Sequence, residues 1–373
     1  MPDDDGYWIS MRSLNLAYEP RLDHIRCLAA SMLFLFHLYH LNYLHWQPAA
    51  DRPWLALLVE GHTGVGLFFT LSGFLFMSIA LHYDHLNYAD FVRNRFLRIF
   101  PLFVTVYFIA ISVSRDRFNA QDFLYLFFSN LGQAPTSNSF ITGAAWTISV
   151  EFTFYLVFPF LARFAKEQGA PYLLRLLVLM LVFKVGAYFV TEHSTHMFYS
   201  TLLGRFDQFL IGMLAAVLSV RWKPQLARSG GPLLIAAVAL VVAACTVQAR
   251  YASYFLPQPK QVFWIFWSFI ESGCWALFIC AWLVAPLRIP GWLDRALCRG
   301  GEISFSFYLL HGLVLFILHE LLGELKITGR VWLDGGVLVL IAYPLVWIVA
   351  SLSYQSIEKP FLTLRRRYGE GAV

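Results

Sequence analysis

Long runs of apolar residues alternate along the chain with short polar segments. Each run is about 16–24 residues long, the length that a helix needs to cross roughly 30 Å of hydrocarbon. The strands of a membrane barrel would instead alternate apolar and polar positions. The pattern therefore predicts an all-α, polytopic membrane helix bundle of about ten transmembrane helices. The predicted spans are 22–45, 62–81, 99–114, 146–163, 173–190, 203–220, 232–248, 262–284, 303–322 and 333–356.

Composition agrees with a membrane protein and excludes an ordinary soluble domain. Hydrophobic residues make up 58% of the chain and charged residues only 14%, against roughly 25% charged residues in soluble domains. The net charge of +5 is explained by a basic inner rim, so no nucleic-acid partner is predicted. The five cysteines form no CxxC pair and no metal spacing, and none lies in a predicted outer loop, so we expect neither disulfides nor cysteine chemistry.

The distribution of basic residues predicts the orientation. With the N-terminus inside, 19 of the 28 lysines and arginines fall on the inner side, 7 fall in outer loops and two lie within spans. This bias predicts that both termini lie in the cytoplasm. Residues 1–21 are then a cytoplasmic N-terminal segment, 22–358 a transmembrane domain and 359–373 a basic cytoplasmic tail. The longest connection, 115–145, is predicted to be an outer loop.

Ionisable residues within the spans are the first candidates for function, because a charge at mid-membrane costs roughly 3 kcal/mol. Arg26 and His37 are eleven residues apart in the first span. On a helix they share one face and lie about 16 Å apart along its axis. His37 is either hydrogen-bonded to a neighbouring helix in a structural role or a proton acceptor. The aligned arginine favours function. His40 follows on a neighbouring face.

Small residues mark the second span. Gly66 and Gly73 lie on one helix face beside Ser72. Close helix packing explains this pattern. Alternatively, Ser72 and the glycines line a narrow passage for an extended ligand.

Two arginines one turn apart, Arg95 and Arg98, precede the third span. They are either positive-inside anchors or a clamp for phosphate, which guanidinium groups bind in a bidentate manner.

Polar groups of the later spans are predicted to lie at membrane depths similar to that of His37. Glu151 lies about one and a half turns inside the fourth span, which begins at Trp146. Further candidates from later spans are Lys184, Arg205, Asp207, Tyr308 and His311, and His311 is expected to lie nearer the inner side than His37. Polar groups from several helices at matched depths predict a buried aqueous or ligand-binding cavity.

Taken in order, these motifs resemble the membrane acyltransferase 3 family, bacterial O-acyltransferases of surface carbohydrates and some secondary metabolites. Its first-helix signature is similar to Arg21-Leu22-Asp23 followed by Arg26 and His37, although His24 and Cys27 stand where the family usually has glycine and alanine. The remaining matching elements are Gly64 to Leu75, Arg95-x-x-Arg98 with Pro101, Trp146 to Glu151 with Phe154–Pro159, Arg205 to Leu210, Ser304 to His311, and Ser353-Tyr354 with Ile357–Pro360.

The resemblance implies transfer of an acyl group, usually acetyl, from cytoplasmic acyl-CoA to a hydroxyl of a carbohydrate or glycolipid at the outer side. It implies catalysis by His37, as general base or covalent acyl carrier, with Glu151 orienting it or stabilising its charged form. Acyl-CoA would be held by Arg26, Ser72, Arg95 and Arg98. Further candidate site residues are Asp23, Trp146, Arg205, Tyr308 and His311, and no metal is expected.

Two other functions also fit polar groups within spans. A transporter or flippase of a glycan or lipid precursor would place ionisable groups midway across the membrane, although no inverted repeat is evident. A non-catalytic scaffold would not explain why Arg26 and His37 share one face of the first helix. The acceptor, the acyl chain length and the oligomeric state stay open.

Overall fold

A computed structural model describes residues 14–47, 55–113, 145–256 and 260–369. These residues are predominantly helical and contain no β-strand, which confirms the predicted all-α membrane bundle. The longer helices are α1 Pro20–Tyr39, α2 Thr63–His82, α3 Tyr88–Val113, α4 Ala145–Gln168, α5 Ala170–Val190, α6 Leu202–Arg221, α7 Gly230–Tyr251, α8 Phe263–Val284, α9 Gly291–Glu302, α10 Ser304–Leu322 and α11 Val331–Ser353.

Nine helices in the described part of the chain are long and apolar enough to cross a membrane. They coincide with nine of the ten predicted spans. The remaining predicted span, 99–114, falls in the second half of α3 and extends past Val113, where the described stretch ends. The predicted outer loop, 115–145, lies outside the described residues except at its end.

Short elements connect these helices. Helix α1 continues as a π-helical turn, His40–Leu44, and α11 continues as a π-helical turn, Tyr354–Glu358, and a final turn, Lys359–Leu362. The other short helices are Ala56–Val59, Ser194–Ser200 and Lys223–Arg228. The amphipathic helix α9 was not among the predicted elements, since its polar residues excluded it from a search for spans.

Helices α2 and α6 pack closely at the centre of the bundle. The hydrogen of Gly73 faces the backbone carbonyl of Phe209, and that of Gly212 faces the carbonyl of Thr70, so a Cβ at either position would overlap backbone. Gly66 in turn lies against the Glu271 carboxyl group. Of the two interpretations of the glycines in α2, close packing is therefore the one that the structure supports.

The register between α1 and the α9–α10 pair determines which polar groups meet. Gly300 at the end of α9 lies against Cys27, and the rings of Phe34 and Phe307 are 5.8 Å apart. Helix α10 therefore begins about three turns along α1. For this reason His311 lies level with His37, and the expectation that it lies nearer the inner side is wrong.

The ends of the bundle are distinct. At one end, which we call the terminal face, the two ends of the described chain meet: the Tyr368 amide donates to Asn15 Oδ1 at 3.0 Å. Asn94 Nδ2 donates to the Arg366 carbonyl at 2.6 Å, so the tail packs against the bundle. At the opposite end, the loop face, Tyr43 donates to the Leu325 carbonyl at 3.0 Å.

Candidate functional site

A large cavity begins at the terminal face and extends into the bundle. Its volume is about 990 Å³, at the upper end of the roughly 300–1,000 Å³ of small-molecule sites. Seven sequence-predicted site residues line it: Asp23, Arg26, Ser72, Arg95, Arg98, Glu151 and Tyr308. His37, Trp146, Arg205 and His311 are not among its lining residues within the described chain. The predicted cavity therefore exists, and it collects most of the candidates.

The first turn of α1 presents a charged cluster to the cavity. The Glu19 carboxylate accepts from the Arg21 amide, Pro20 occupies the first turn, and Asp23 lies near the positive end of the helix dipole. Asp23 accepts from Arg26 at 2.5 Å and from the Tyr18 hydroxyl at 3.0 Å. Arg26 is thus held at the cavity wall by an ion pair one turn away.

Two arginines of α3 occupy the cavity wall in different ways. Arg98 forms a salt bridge with Glu358 at 3.0 Å, and this carboxylate is fully buried. Arg95 lies over the Phe76 ring at 4.9 Å and donates to the Tyr368 hydroxyl at 3.0 Å. No salt bridge to Arg95 exists among the described residues, so no ion pair there neutralises its charge.

A third arginine, Arg365 of the tail, joins the same wall. Burial and, to a smaller extent, the positive charges of Arg95 and Arg98 together lower the pKa of its guanidinium to about 10. It stays charged at neutral pH. Guanidinium groups gathered in a partly buried wall have the chemistry to hold a multiply charged anion such as phosphate. Arg365 was not among the predicted site residues, because it lies in the basic tail outside the predicted spans.

Glu151 faces the cavity from α4. Its Oε1 accepts from the Ser72 hydroxyl at 2.9 Å, and Tyr155 also donates to the carboxyl group. The expected contact with His37 is not present among the described residues. The structure thus pairs Glu151 with Ser72, on the wall that also carries Arg95, and it does not support the role of orienting His37.

His37 and His311 form a pair next to the inner end of the cavity. Nδ1 of His37 lies 3.0 Å from Nε2 of His311 and 2.8 Å from the Leu33 carbonyl. Nδ1 of His311 lies 2.6 Å from the Tyr308 carbonyl. Tyr308 lines the cavity one turn before His311, and its hydroxyl is 2.9 Å from Thr147 Oγ1. The pair therefore lies one helical turn beyond the cavity.

The hydrogen bonds define the tautomers of the neutral pair. Carbonyl oxygens only accept, so Nδ1 of each histidine carries the proton. Nε2 of His311 then accepts from His37, and Nε2 of His37 keeps a free lone pair. No hydrogen-bond partner for that Nε2 occurs in the described part of the chain. A histidine arranged in this way can accept a proton from a bound hydroxyl.

The loop-face side of His37 is covered by an aromatic side chain. The Trp46 and His37 ring centroids are 6.1 Å apart, and Trp46 is 39% exposed. His45 and Trp46 both have left-handed backbone conformations, with φ of 47° and 59°, which is uncommon for non-glycine residues. Hence His37 lies between the cavity on one side and the exposed Trp46 on the other.

Three remaining candidates, Lys184, Arg205 and Asp207, belong to buried ion pairs away from the cavity. Arg205 pairs with Glu271 at 2.8 Å and lies over the Trp146 ring at 5.9 Å. Lys184 pairs with Asp207 at 2.6 Å, with both side chains fully buried. These ion pairs join α5 to α6 and α6 to α8. Glu271 was missed, although it is an acidic residue inside a predicted span and the same search would have found it.

Comparisons with known proteins agree with these observations. The acyltransferase domain family matches residues 19–353. "Acyltransferase MdmB" of Streptomyces mycarofaciens is 25% identical, over 93% of both chains. "Nodulation protein 10" of Rhizobium leguminosarum bv. viciae is 26% identical, over 92% of this chain and 93% of its own.

Relatives from Staphylococcus aureus carry O-acetyltransferase in their names. They are 22% identical, over 93% of this chain, which spans 58% of their length. No solved structure matches this chain. The family match covers most of the sequence, and the chain belongs to the membrane acyltransferase 3 family and is an acyltransferase.

Proposed function

We propose that this acyltransferase moves an acetyl group from cytoplasmic acyl-CoA to a hydroxyl of a carbohydrate or glycolipid at the outer side of the plasma membrane. The observation that carries the proposal is the position of the His37–His311 pair. On one side of the pair, one helical turn away, is the inner end of the large cavity that begins at the terminal face. On the other side is Trp46 at the loop face. A donor from one side and an acceptor from the other would therefore meet at one imidazole.

The donor would bind with its phosphates at the wall formed by Arg95, Arg98 and Arg365. Guanidinium groups bind phosphate through paired, charge-assisted hydrogen bonds. The pantetheine arm would extend past Ser72 and Glu151, which offer a hydroxyl and a carboxyl group for its amides. The thioester would lie beside Tyr308, and the acyl group would reach past that ring toward His37.

The reaction would follow from the tautomers of the pair. Nε2 of His37 takes the proton of the acceptor hydroxyl while its oxygen attacks the thioester carbonyl carbon. The carbon–sulfur bond then breaks, and the imidazolium returns the proton to the CoA thiolate. His311 accepts the Nδ1–H bond of His37 throughout and so favours the charged form of that ring. In the other course, Nε2 of His37 attacks the thioester carbonyl carbon itself, the carbon–sulfur bond breaks and CoA leaves as thiolate. The acceptor hydroxyl then takes the acyl group from the imidazole nitrogen and passes its proton to the thiolate.

The names of the relatives support acyl transfer, and acetyl is the group named in the Staphylococcus aureus relatives. The acceptor class rests on the family resemblance and on the exposed Trp46, since aromatic rings commonly line sites for ligands with apolar faces. A transporter or flippase has no comparable support, because the family match and the names of the relatives both concern acyl transfer.

The decisive experiment supplies purified protein with radiolabelled acetyl-CoA and a cell-envelope extract. We expect release of CoA thiol and label in a carbohydrate or glycolipid, with both lost in His37→Ala and kept in His40→Ala. Mass spectrometry of surface glycans from cells with and without the gene would identify the acceptor. Translocation of a glycolipid by folded protein without any CoA release would overturn the proposal in favour of a flippase.

A further inference from the structure

Three metal-binding side chains converge at the terminal face, outside the reacting groups. His24 Nε2 lies 3.1 Å from Asp294 Oδ1 and 3.5 Å from Cys298 Sγ, and the three ligand atoms lie within 4.8 Å of one another. His24 comes from the first turns of α1. Asp294 and Cys298 are four residues apart on α9, so they share one face of that helix.

From this geometry we infer that His24, Asp294 and Cys298 form a binding site for Zn²⁺. Imidazole nitrogen, thiolate sulfur and carboxylate oxygen are the three ligand types that proteins use for zinc. At usual bond lengths a tetrahedral ion separates nitrogen and sulfur ligands by about 3.5 Å and nitrogen and oxygen ligands by about 3.4 Å. The observed separations of 3.5 and 3.1 Å lie close to these values.

The surroundings of the three ligands also suit an ion. The His24 side chain is 2% exposed, while that of Asp294 is 42% exposed, so the site is shielded on the α1 side and open on the other. Asp294 and Cys298 line the large cavity, and the fourth position of a tetrahedral ion would face it and hold water. Cys298 would bind as thiolate and release its proton to solvent.

In a simple ion pair, the Nε2 hydrogen of His24 would be shared between the Asp294 oxygen and the Cys298 sulfur. In the metal-bound form, the Nε2 lone pair faces the cation, and the carboxylate and the thiolate approach the same ion. Nδ1 of His24 is buried without a hydrogen-bond partner among the described residues in both forms, so metal binding itself has to distinguish them.

A bound ion would tie the start of α1 to α9. Arg26 follows His24 on α1, and Arg299 follows Cys298 on α9, and both arginines line the cavity. Gly301 of α9 already lies against the Asp23 backbone. The ion would thus stabilise the cavity opening without taking part in acyl transfer, so the inference stands independently of the proposed reaction.

The test is a Co²⁺ titration of the full-length chain, purified in detergent and freed of metal by chelation. Co²⁺ substitutes for Zn²⁺, and a bound thiolate gives an intense charge-transfer absorption that needs no enzymatic activity. We expect this band in the unmodified protein, its loss in Cys298→Ser, and at least about a tenfold weaker affinity in Asp294→Asn. The matched control, Cys27→Ser, removes a neighbouring buried thiol outside the ligand set and should keep the band.

A second measurement covers variants that fold poorly. Zn²⁺ should raise the unfolding temperature of the unmodified protein and of Cys27→Ser, because a ligand that binds only the folded state stabilises it. It should leave the unfolding temperature of His24→Ala and Cys298→Ser unchanged. Absence of both the band and the shift in folded, unmodified protein would overturn the inference. So would a band that survives in Cys298→Ser but disappears in Cys27→Ser.

Discussion

Nδ1 of His37 lies 3.0 Å from Nε2 of His311, although 274 residues separate the two histidines in the chain. The contact exists because α9 lies beside the first turns of α1, so that α10 begins further along α1 and His311 reaches the level of His37. It gives His37 a neighbour that accepts its N–H. Nε2 of His37 is thereby left as the basic atom of the pair.

Replacing His37 with alanine should abolish acyl transfer while acyl-CoA binding survives. General base catalysis typically contributes a factor of about 10²–10⁴, so kcat should fall by about 10²-fold or more. His311→Ala should lower kcat by a smaller factor, because His37 keeps the Leu33 carbonyl as a partner. Turnover and acyl-CoA binding are measured on the same preparations, with His40→Ala as the control. Near-normal transfer in folded His37→Ala protein would make His37 structural.

Glu151→Gln should lower the affinity for acyl-CoA as well as turnover. The carboxyl group lies on the cavity wall with Ser72 and is separate from His37, so its loss should affect the bound donor directly. Titration with acyl-CoA and steady-state kinetics separate the two effects. Glu167→Gln, at an exposed carboxylate, serves as the control. A variant with full affinity and no turnover would instead identify Glu151 as the catalytic base.

Arg95→Ala should weaken acyl-CoA binding by about 10–100-fold, because a hydrogen bond to a charged group contributes roughly 1.5–3 kcal/mol. Its own partners are rings and the Tyr368 hydroxyl, so the fold should persist. Arg163→Ala, at an exposed arginine, should bind normally. If folded Arg95→Ala protein binds acyl-CoA with unchanged affinity, Arg95 does not bind the donor and serves as a positive-inside membrane anchor.

Arg98→Ala should behave differently, because it leaves the buried Glu358 carboxylate without its salt bridge. Removing one partner of a buried pair costs about 3–5 kcal/mol. Thermal unfolding should therefore occur at a lower temperature, and Glu358→Gln in the same chain should restore part of the loss. If the single variant unfolds at the temperature of the unmodified protein, the pair does not stabilise the fold.

Reporter fusions test the orientation. The charge bias predicts both termini in the cytoplasm, so a fusion after residue 135 should report the outer side and one after residue 225 the inner side. Both reporters on the same side would contradict the predicted arrangement and, with it, the direction of transfer in the proposed function.

The sequence by itself predicted the helices, because a bilayer imposes a length and an apolar composition that appear directly as runs of residues. It also identified the residues of the cavity wall, since a polar group inside a span is costly and therefore conspicuous. Arg26, Ser72 and Glu151 lie within predicted spans and were found in this way. The amphipathic α9 and the contribution of Arg365 were not, because neither lies within an apolar run.

Only the tertiary structure decided which polar groups meet. Glu151 pairs with Ser72 across the contact of α4 with α2. His37 pairs with His311 because the position of α9 sets the height of α10 relative to α1. The convergence of His24, Asp294 and Cys298 depends on the same register. Hydropathy determines that a helix crosses the membrane, but the shift of one helix along another is set by side-chain packing between residues far apart in the chain.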